Sequence, residues 1–409
     1  MPELLLLTGS FPHDRVTEFL DREITFLAES FDSVRVAPAR PSGPRIRQLP
    51  TNVSVDYSLA EALAPPSSVF GSRSRAVTAA GSAIWRSGQG FGATSREVTS
   101  QWRRPGWITA MLLSRADAAT IASWASRSRP PDVAYTFWLG PETAGLRAAW
   151  PSVPLVSRAH GGDVYAQARG WRSIPFQAKA VAAATMIACA SDNGCQHLRR
   201  THPMQASAIV TRRLGTVDLG GLARAPDASE PLKILSASSL DNNKRVDLIA
   251  GVAADLARRG RAVSWTHLGE GPGRLGVDEA LAGAPDVLTA NLPGQVAPDV
   301  AHQIIRDGGH HVFINLSLSE GAPVSVMEAQ CVGLPVVATD VGGTSEVAPA
   351  ALNALVGPDW TAPQVADALI ELVARDRSLA DARRQHWQKH FNCLTNYNSF
   401  AAELRAFCD

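Results

Sequence analysis

Residues 312–340 read VFINLSLSEGAPVSVMEAQCVGLPVVATD. An apolar, β-branched run at Val312–Leu316 leads into a polar loop, then an apolar helical stretch, then a second β-branched run at Pro335–Ala338. Strand, helix and strand in that order predict two parallel neighbours with the helix lying on the sheet. Pro323 suits the first turn of the helix, where a missing N–H costs nothing, and Gly321 and Ala322 offer free main-chain N–H groups just before it. A helix N-terminus aimed out of the carboxyl end of a sheet is a ready anion site, suited to a diphosphate. Glu320 before the helix and Glu328 within it can accept hydrogen bonds from sugar hydroxyls; the alternative for Glu320 is a surface loop acid. Glu328 sits in an otherwise apolar helix, where an unpaired carboxylate is costly, so a partner is expected.

The same rhythm runs outward in both directions. Towards the N-terminus, strands are expected at Leu4–Leu7, Val34–Val36, Val133–Thr136, Leu155–Ser157, Met186–Ala188 and Ala208–Val210. Helical spacing from Val16 to Ser30 places Phe19, Leu20, Ile24 and Leu27 on one stripe. After Pro231 the pattern restarts with strands at Lys233–Ala237, Val263–Leu268, Val287–Thr289, Val312–Leu316, Pro335–Ala338 and Asn353–Val356. The fold class is therefore α/β, with two doubly wound, Rossmann-like domains. Periodicity breaks in Gly215–Pro231, giving domains at 1–215 and 216–385 and a C-terminal helical segment at 386–409. Residues 40–130 show no legible strand order.

The 409 residues carry a formal net charge of +1, which gives no global field for nucleic acid. Five cysteines at 189, 195, 331, 393 and 408 lack C-x-x-C spacing, so neither a zinc site nor a disulfide framework is indicated. The N-terminus lacks a basic region, and no apolar run approaches the roughly 18 residues of a spanning helix. A cytoplasmic chain, soluble or peripheral on the inner face of the plasma membrane, is expected. Between residues 66 and 130 lie nine arginines (73, 75, 86, 96, 103, 104, 115, 127 and 129) with Trp85, Trp102, Trp107 and Trp124. Two readings stand: contact with an anionic membrane or acceptor, or a solvated helical face whose tryptophans anchor it to the core.

Ser319-Glu320-Gly-Ala-Pro, Glu328 after seven intervening residues, and Gly333-Leu-Pro-Val-Val-Ala-Thr-Asp340-Val-Gly-Gly-Thr-Ser-Glu346 together resemble the signature of family 4 glycosyltransferases, the large retaining group with the GT-B fold. Weaker likeness covers most of the chain. Ser157-Arg-Ala-His160-Gly-Gly-Asp163 resembles the N-domain histidine loop, and Leu268-Gly-Glu270-Gly271-Pro272 the family's Gly-Asp-Gly-Pro turn. Thr8-Gly-Ser-Phe-Pro12 with Glu18-Phe-Leu-Asp-Arg-Glu23 resembles bacterial exopolysaccharide members.

The resemblance implies an acceptor-side first domain, a nucleotide-sugar-binding second domain and a final helix returning to the first, the two domains facing across a cleft. The substrates are a nucleotide diphosphate sugar and a saccharide, lipid-linked or small-molecule acceptor. It implies that Glu328 holds the ribose, Glu320 and Gly321–Pro323 contact the donor sugar, and His160 lies beside that sugar. Gly9 and Ser10 cover the diphosphate, and Gly271 belongs to the donor side. Lys244, in Ser238-Ser-Leu-Asp-Asn-Asn-Lys244-Arg245, matches the lysine that offsets the diphosphate charge, with no metal or bound cofactor expected. The alternative for Lys244 is a solvated residue near a helix start. Asp163 either accepts a hydrogen bond from the acceptor or caps the next helix, and Glu346 has a similar capping reading.

The chain departs from the pattern at Ser238-Ser239, where the family has glycine and arginine. Arg245 or another base then substitutes, or donor binding weakens. A different class of function follows from that departure: a catalytically silent, sugar-nucleotide-binding partner of another transferase. A sugar-nucleotide epimerase or a phosphorylase on the same architecture has no supporting motif. A dinucleotide-dependent dehydrogenase is disfavoured, because no G-x-G-x-x-G follows the first strand.

Overall fold

The computed structural model describes residues 2–13, 18–45, 48–64, 106–227, 229–374 and 379–409. They form two compact units, Met1–Arg212 with Tyr397–Asp409, and Arg213–Asn396. Both are parallel α/β structures of the kind expected. The first unit ends at Arg212, and α14 (Ala380–His390) lies wholly in the second, with the helix α15 (Cys393–Arg405) joining the first from Tyr397 onward. Trp387 explains why residues 386–396 stay with the second unit: it is fully buried and donates its indole N–H to Thr216 Oγ1 at 2.8 Å.

In the first unit, β1 (Glu3–Thr8), β2 (Ser33–Pro38), β3 (Val53–Val55), β4 (Val133–Thr136), β5 (Leu155–Ala159), β6 (Met186–Cys189) and β7 (Ile209–Thr211) form one sheet in the order β3-β2-β1-β4-β5-β6-β7. All its ladders are parallel. Leu4–Leu7 are buried on both sheet faces, the reason this strand reads as a continuous apolar run. Leu4 and Leu6 pack with Leu20, Ile24 and Leu27 of α1 (Glu18–Ser30) and with Phe400 and Leu404 of α15. Leu5 and Leu7 face the other way, onto Ile121 and Trp124 of α3 (Trp107–Ala125) and Leu146 of α4 (Pro141–Ala149). Alternate residues of one strand thus serve two helical layers.

The poorly legible stretch contains β3, α2 (Ser58–Leu63) and α3. Residues 65–105 lie outside the described residues, and most of the Arg/Trp stretch lies with them. Of its described part, Trp107, Trp124 and Arg115 are buried. Trp107 Nε1 donates to the Ser173 carbonyl and Trp124 Nε1 to Ser58 Oγ, so these two tryptophans anchor α3 to the core and present no indole to a membrane. Among the described residues, no helix is long and apolar enough to cross a membrane.

The second unit has β8 (Leu232–Ala237), β9 (Val263–Leu268), β10 (Leu288–Gly294), β11 (Val312–Asn315), β12 (Val336–Thr339) and β13 (Ala354–Val356) in the order β10-β9-β8-β11-β12-β13. All its ladders are parallel. Helices α8 (Val246–Arg258) and α13 (Ala362–Ala374) contribute Ile249, Val252 and Leu369 to a core centred on Ile234, Trp265 and Ile314. In each sheet the chain reverses its direction of winding once: between β1 and β4 in the first unit, and between β8 and β11 in the second. Ligands of open α/β sheets bind outside the carboxyl ends of the strands at such a point.

Candidate active site

The post-β8 loop, Ser238–Arg245, and the post-β11 loop, Leu316–Pro323, flank the switch of the second unit. Asp241 organises the first. Its Oδ1 accepts the main-chain N–H groups of Asn243 at 2.9 Å and Lys244 at 3.0 Å, and its Oδ2 accepts the Ser239 hydroxyl at 2.6 Å. Asn243 ties the two loops together, donating its amide to the Ser319 carbonyl and accepting the Leu318 N–H. Lys244 then reaches across, its ammonium 2.6 Å from Glu320 Oε1, with Asn315 Nδ2 donating to the same oxygen at 3.4 Å. The Glu320 side chain is only 8% exposed and that of Lys244 23%, so the pair is partly withdrawn from water.

Pro323 serves as the N-cap of α11 (Val324–Cys331) and not as its first helical residue; its ψ of 112° is extended. Gly321 and Ala322 precede it, and their N–H groups take no partner among the described residues. The buried Ser317 hydroxyl is likewise unpartnered among them, a cost of about 1–3 kcal/mol by general measure.

Arg245 points elsewhere. Its guanidinium donates to the Leu316 carbonyl at 2.6 Å, and to the Ser317 carbonyl and Thr339 Oγ1 at 3.2 Å each. It also lies 5.0 Å over the Trp360 ring. The substitution of Arg245 for the absent arginine at Ser239 is therefore not what this arrangement provides: the guanidinium is committed to holding the post-β11 loop. Ser239 itself is turned towards Asp241.

Gly271 packs on the main chain of Leu240, where an added Cβ would lie 2.6 Å from the carbonyl oxygen. Gly269, with φ of +140°, would place a Cβ 1.9 Å from the Ser238 carbonyl oxygen. These glycines let the post-β9 turn press against the post-β8 loop. His267 supports the same contact: Trp265 Nε1–H donates to Ser236 Oγ at 2.9 Å, that oxygen lies 2.8 Å from His267 Nδ1, and His267 Nε2 lies 3.1 Å from the Ser238 carbonyl. Since the carbonyl only accepts, Nε2 carries the hydrogen and Nδ1 receives the serine hydroxyl. Burial pushes the imidazole down to about 4, keeping it neutral in this chain of bonds.

Glu328 has the expected partner. His302, on α10 (Pro298–Asp307), places Nε2 3.1 Å from Glu328 Oε1.

In the first unit the switch loops bring together Gly9, Trp138 and His160. An added Cβ on Gly9 would lie 3.9 Å from Trp138 Nε1, and the Trp138 and His160 ring centroids are 4.5 Å apart. The Ser10 carbonyl accepts from the His13 N–H, closing the post-β1 loop. His160 is the N-cap residue of the short helix α5 (Gly161–Val164), and its ring lies tilted against Phe137 with centroids 4.8 Å apart. Burial, with the nearby Arg158 charge, pushes its pKa down to about 3. A neutral imidazole of this kind suits hydrogen bonding better than taking a proton.

Asp163 accepts the Leu139 N–H at 2.8 Å and the His160 N–H at 2.7 Å on its two oxygens. As the N3 residue of α5 it bonds back to the N-cap N–H, and it ties the post-β4 loop to the post-β5 loop. Burial raises its pKa to about 7 against those donors. Of the residues that sequence reasoning missed, Trp138 carried a usable signal, since it follows a strand in the same way as His160. His302 carried none, because a pairing across two helices has no sequence spacing; Asn315, at the end of β11, meets Glu320 five residues on only because the post-β11 loop folds back.

The fold and the switch-point loops define a GT-B, glycosyltransferase-type architecture, and comparison agrees. Residues 231–375 match the family described as Glycosyl transferases group 1. The gpi3 component of the Schizosaccharomyces pombe phosphatidylinositol N-acetylglucosaminyltransferase is 27% identical over 138 residues, 33% of this chain and 30% of that protein. The amylovoran biosynthesis glycosyltransferase AmsK of Erwinia amylovora is 25% identical over 182 residues, 43% of this chain and 45% of that protein. These matches thus span less than half of either relative.

Among solved structures, the sucrose-phosphate synthase of Thermosynechococcus elongatus superposes with a TM-score of 0.66 at 16% identity, covering 99% of both chains. Anabaena HepE, in complex with UDP and glucose, gives 0.64 at 14% identity over 99% of this chain and 100% of its own.

Proposed function

We propose that the chain is a retaining glycosyltransferase of the family 4 type, moving a sugar from a nucleoside diphosphate to a hydroxyl of a saccharide, lipid-linked or small-molecule acceptor. The observation that carries this is the Lys244–Glu320 pair at the switch point of the very unit that matches the family. A cation beside N–H groups at a helix start suits a diphosphate, and an adjacent carboxylate suits sugar hydroxyls. HepE in complex with UDP-glucose and the relatives named as glycosyltransferases support the donor class.

In this reading the acceptor oxygen bonds to the anomeric carbon on the face that the diphosphate leaves. The bond from that carbon to the phosphate oxygen breaks, and a departing phosphate oxygen takes the acceptor's proton. Lys244 offsets the charge on the diphosphate, with the Gly321 and Ala322 N–H groups beside it. Glu320 meets the donor sugar, Glu328 the ribose, and neutral His160 hydrogen-bonds without taking a proton. Gly9 and Ser10 belong to the donor side, Gly271 supports the post-β8 loop, and Arg245 supports the post-β11 loop. Catalysis without a metal is part of the same proposal, as are a cytoplasmic setting and any membrane contact through residues 66–130.

The test is turnover: the purified chain incubated with common sugar nucleotides, with release of the nucleoside diphosphate measured with and without saccharide acceptors. Release from one donor, abolished in Lys244→Ala, is expected. A nucleotide that binds tightly but is never released from its sugar under any acceptor overturns transfer and favours a silent binding partner, the role that Ser239 allows.

A further inference from the structure

Glu328 stands out on α11, where Val326, Met327, Ala329, Gln330 and Cys331 are all buried while its own side chain is 19% exposed. A carboxylate on a helix surface turns easily about its last torsion, which has a broad minimum. Here it does not stand alone. His302 comes from a separate helix, held by Pro298 in its first turn, by buried Ile305, and by Arg306, which donates to the Leu219 carbonyl. A carboxylate only accepts, so the hydrogen lies on His302 Nε2 and points at Glu328 Oε1. Glu328 Oε2 takes no hydrogen bond among the described residues. The carboxylate plane is therefore set from one side, leaving Oε2 and the second lone pair of Oε1 for two further donors.

Two vicinal hydroxyls are the chemistry that matches two acceptor positions on one fixed carboxylate. We propose that His302 is a positioning residue that orients Glu328 for the 2′- and 3′-hydroxyls of the donor's ribose, and so selects ribonucleotide over deoxyribonucleotide donors. The inference rests on the reading of Glu328 as the ribose contact. As a stabilising contact the two residues contribute little, because partly exposed polar pairs are weak; the value of the contact lies in orientation.

The experiment is calorimetric. Wild type, His302→Ala, His302→Gln and Glu328→Ala are titrated with uridine, guanosine and adenosine diphosphates, with the 2′,3′-dideoxy form of whichever binds, and with inorganic pyrophosphate. Thermal melts confirm that each variant is folded. His302→Ala is expected to lose about tenfold in affinity for the ribonucleotide, the scale of one hydrogen bond to a charged group. Its affinity for the dideoxy form and for pyrophosphate is expected to be unchanged. Glutamine, whose amide nitrogen reaches as Nε2 does, is expected to restore most of the loss. Equal losses for both nucleotide forms, or no loss in His302→Ala while Glu328→Ala abolishes ribose preference, overturn the positioning role alone. Ribose preference that survives in Glu328→Ala overturns the reading of Glu328 as well. Failure of wild type to bind any of the diphosphates overturns both.

Discussion

Lys244 Nζ lies 2.6 Å from Glu320 Oε1, joining the loops on either side of the reversal between β8 and β11. The one cation that the post-β8 loop directs towards Glu320 is thus already neutralised, and an incoming diphosphate must compete with a carboxylate for it. Glu320→Gln is therefore expected to bind a nucleoside diphosphate more tightly, by up to about tenfold, the scale of one charged hydrogen bond. Its transfer rate is expected to fall, since the contact with the donor sugar is lost. Calorimetry and turnover on the same preparation separate the two effects; weaker binding in the variant contradicts the competition.

Arg245 is expected to behave differently from its neighbour. Its bonds run to the carbonyls of Leu316 and Ser317, so Arg245→Ala should cost stability of about 1–3 kcal/mol, lowering the melting temperature by several degrees. Diphosphate affinity should change much less than in Lys244→Ala. Melting curves and titrations of the two variants side by side check the division of labour.

Arg158 and Glu23 form a buried pair in the first unit, with Nη2 2.9 Å from Oε1 and side chains 0% and 1% exposed. Tyr135 joins them, donating its hydroxyl to Glu23 Oε1 and accepting from Arg158 Nε. Arg158→Met leaves a buried carboxylate uncompensated and should cost about 3–5 kcal/mol. Adding Glu23→Leu should recover much of that loss. Denaturant titration of Arg158→Met, Glu23→Leu and the double variant measures it, and simple additivity of two large losses would refute the coupling.

Acid stability depends on groups with opposite signs. His160 and His267 have folded pKa values of about 3 and about 4 against an unfolded value near 6.5, so the unfolded chain binds more protons between those limits and stability is lost as pH falls below about 6.5. His310, also lowered to about 4 by burial, acts in the same direction. Asp163, raised to about 7 from 3.8, does the reverse: the folded chain holds the extra proton, and its contribution is lost as pH rises from about 4 to 7. Asp163→Asn removes that opposing slope. Between pH 4 and 7 its stability should rise more steeply with pH than that of wild type, whatever the offset, as denaturation midpoints at several pH values would record.

The alternation of apolar runs was enough to place the strands of the second unit, because each central one is buried on both faces and has no polar face to obscure it. Short β3, with residues Val53–Val55 poorly buried, offered no such run. The helix Trp107–Ala125 is apolar around much of its circumference, which blurs the period that marks a helix. Of the candidate site, the loop residues Lys244 and Glu320 and the helical Glu328 were legible through their place after strands and in a familiar motif. Their partners were not: His302 meets Glu328 only through tertiary packing, as Trp138 meets His160, and Asn315 meets Glu320 only through the local turn of the post-β11 loop. Asp163 illustrates the middle case, since its capping alternative was visible but the second bond, to Leu139 in a distant loop, was not.

Whether a nucleoside diphosphate binds at Lys244 is decided by titrating wild type and Lys244→Ala with a panel of nucleoside diphosphates under identical salt. One diphosphate binding to wild type and at least tenfold more weakly to the variant is the predicted result, on the scale of one charged hydrogen bond. Equal binding by both proteins, or binding of none of the panel by wild type, contradicts it.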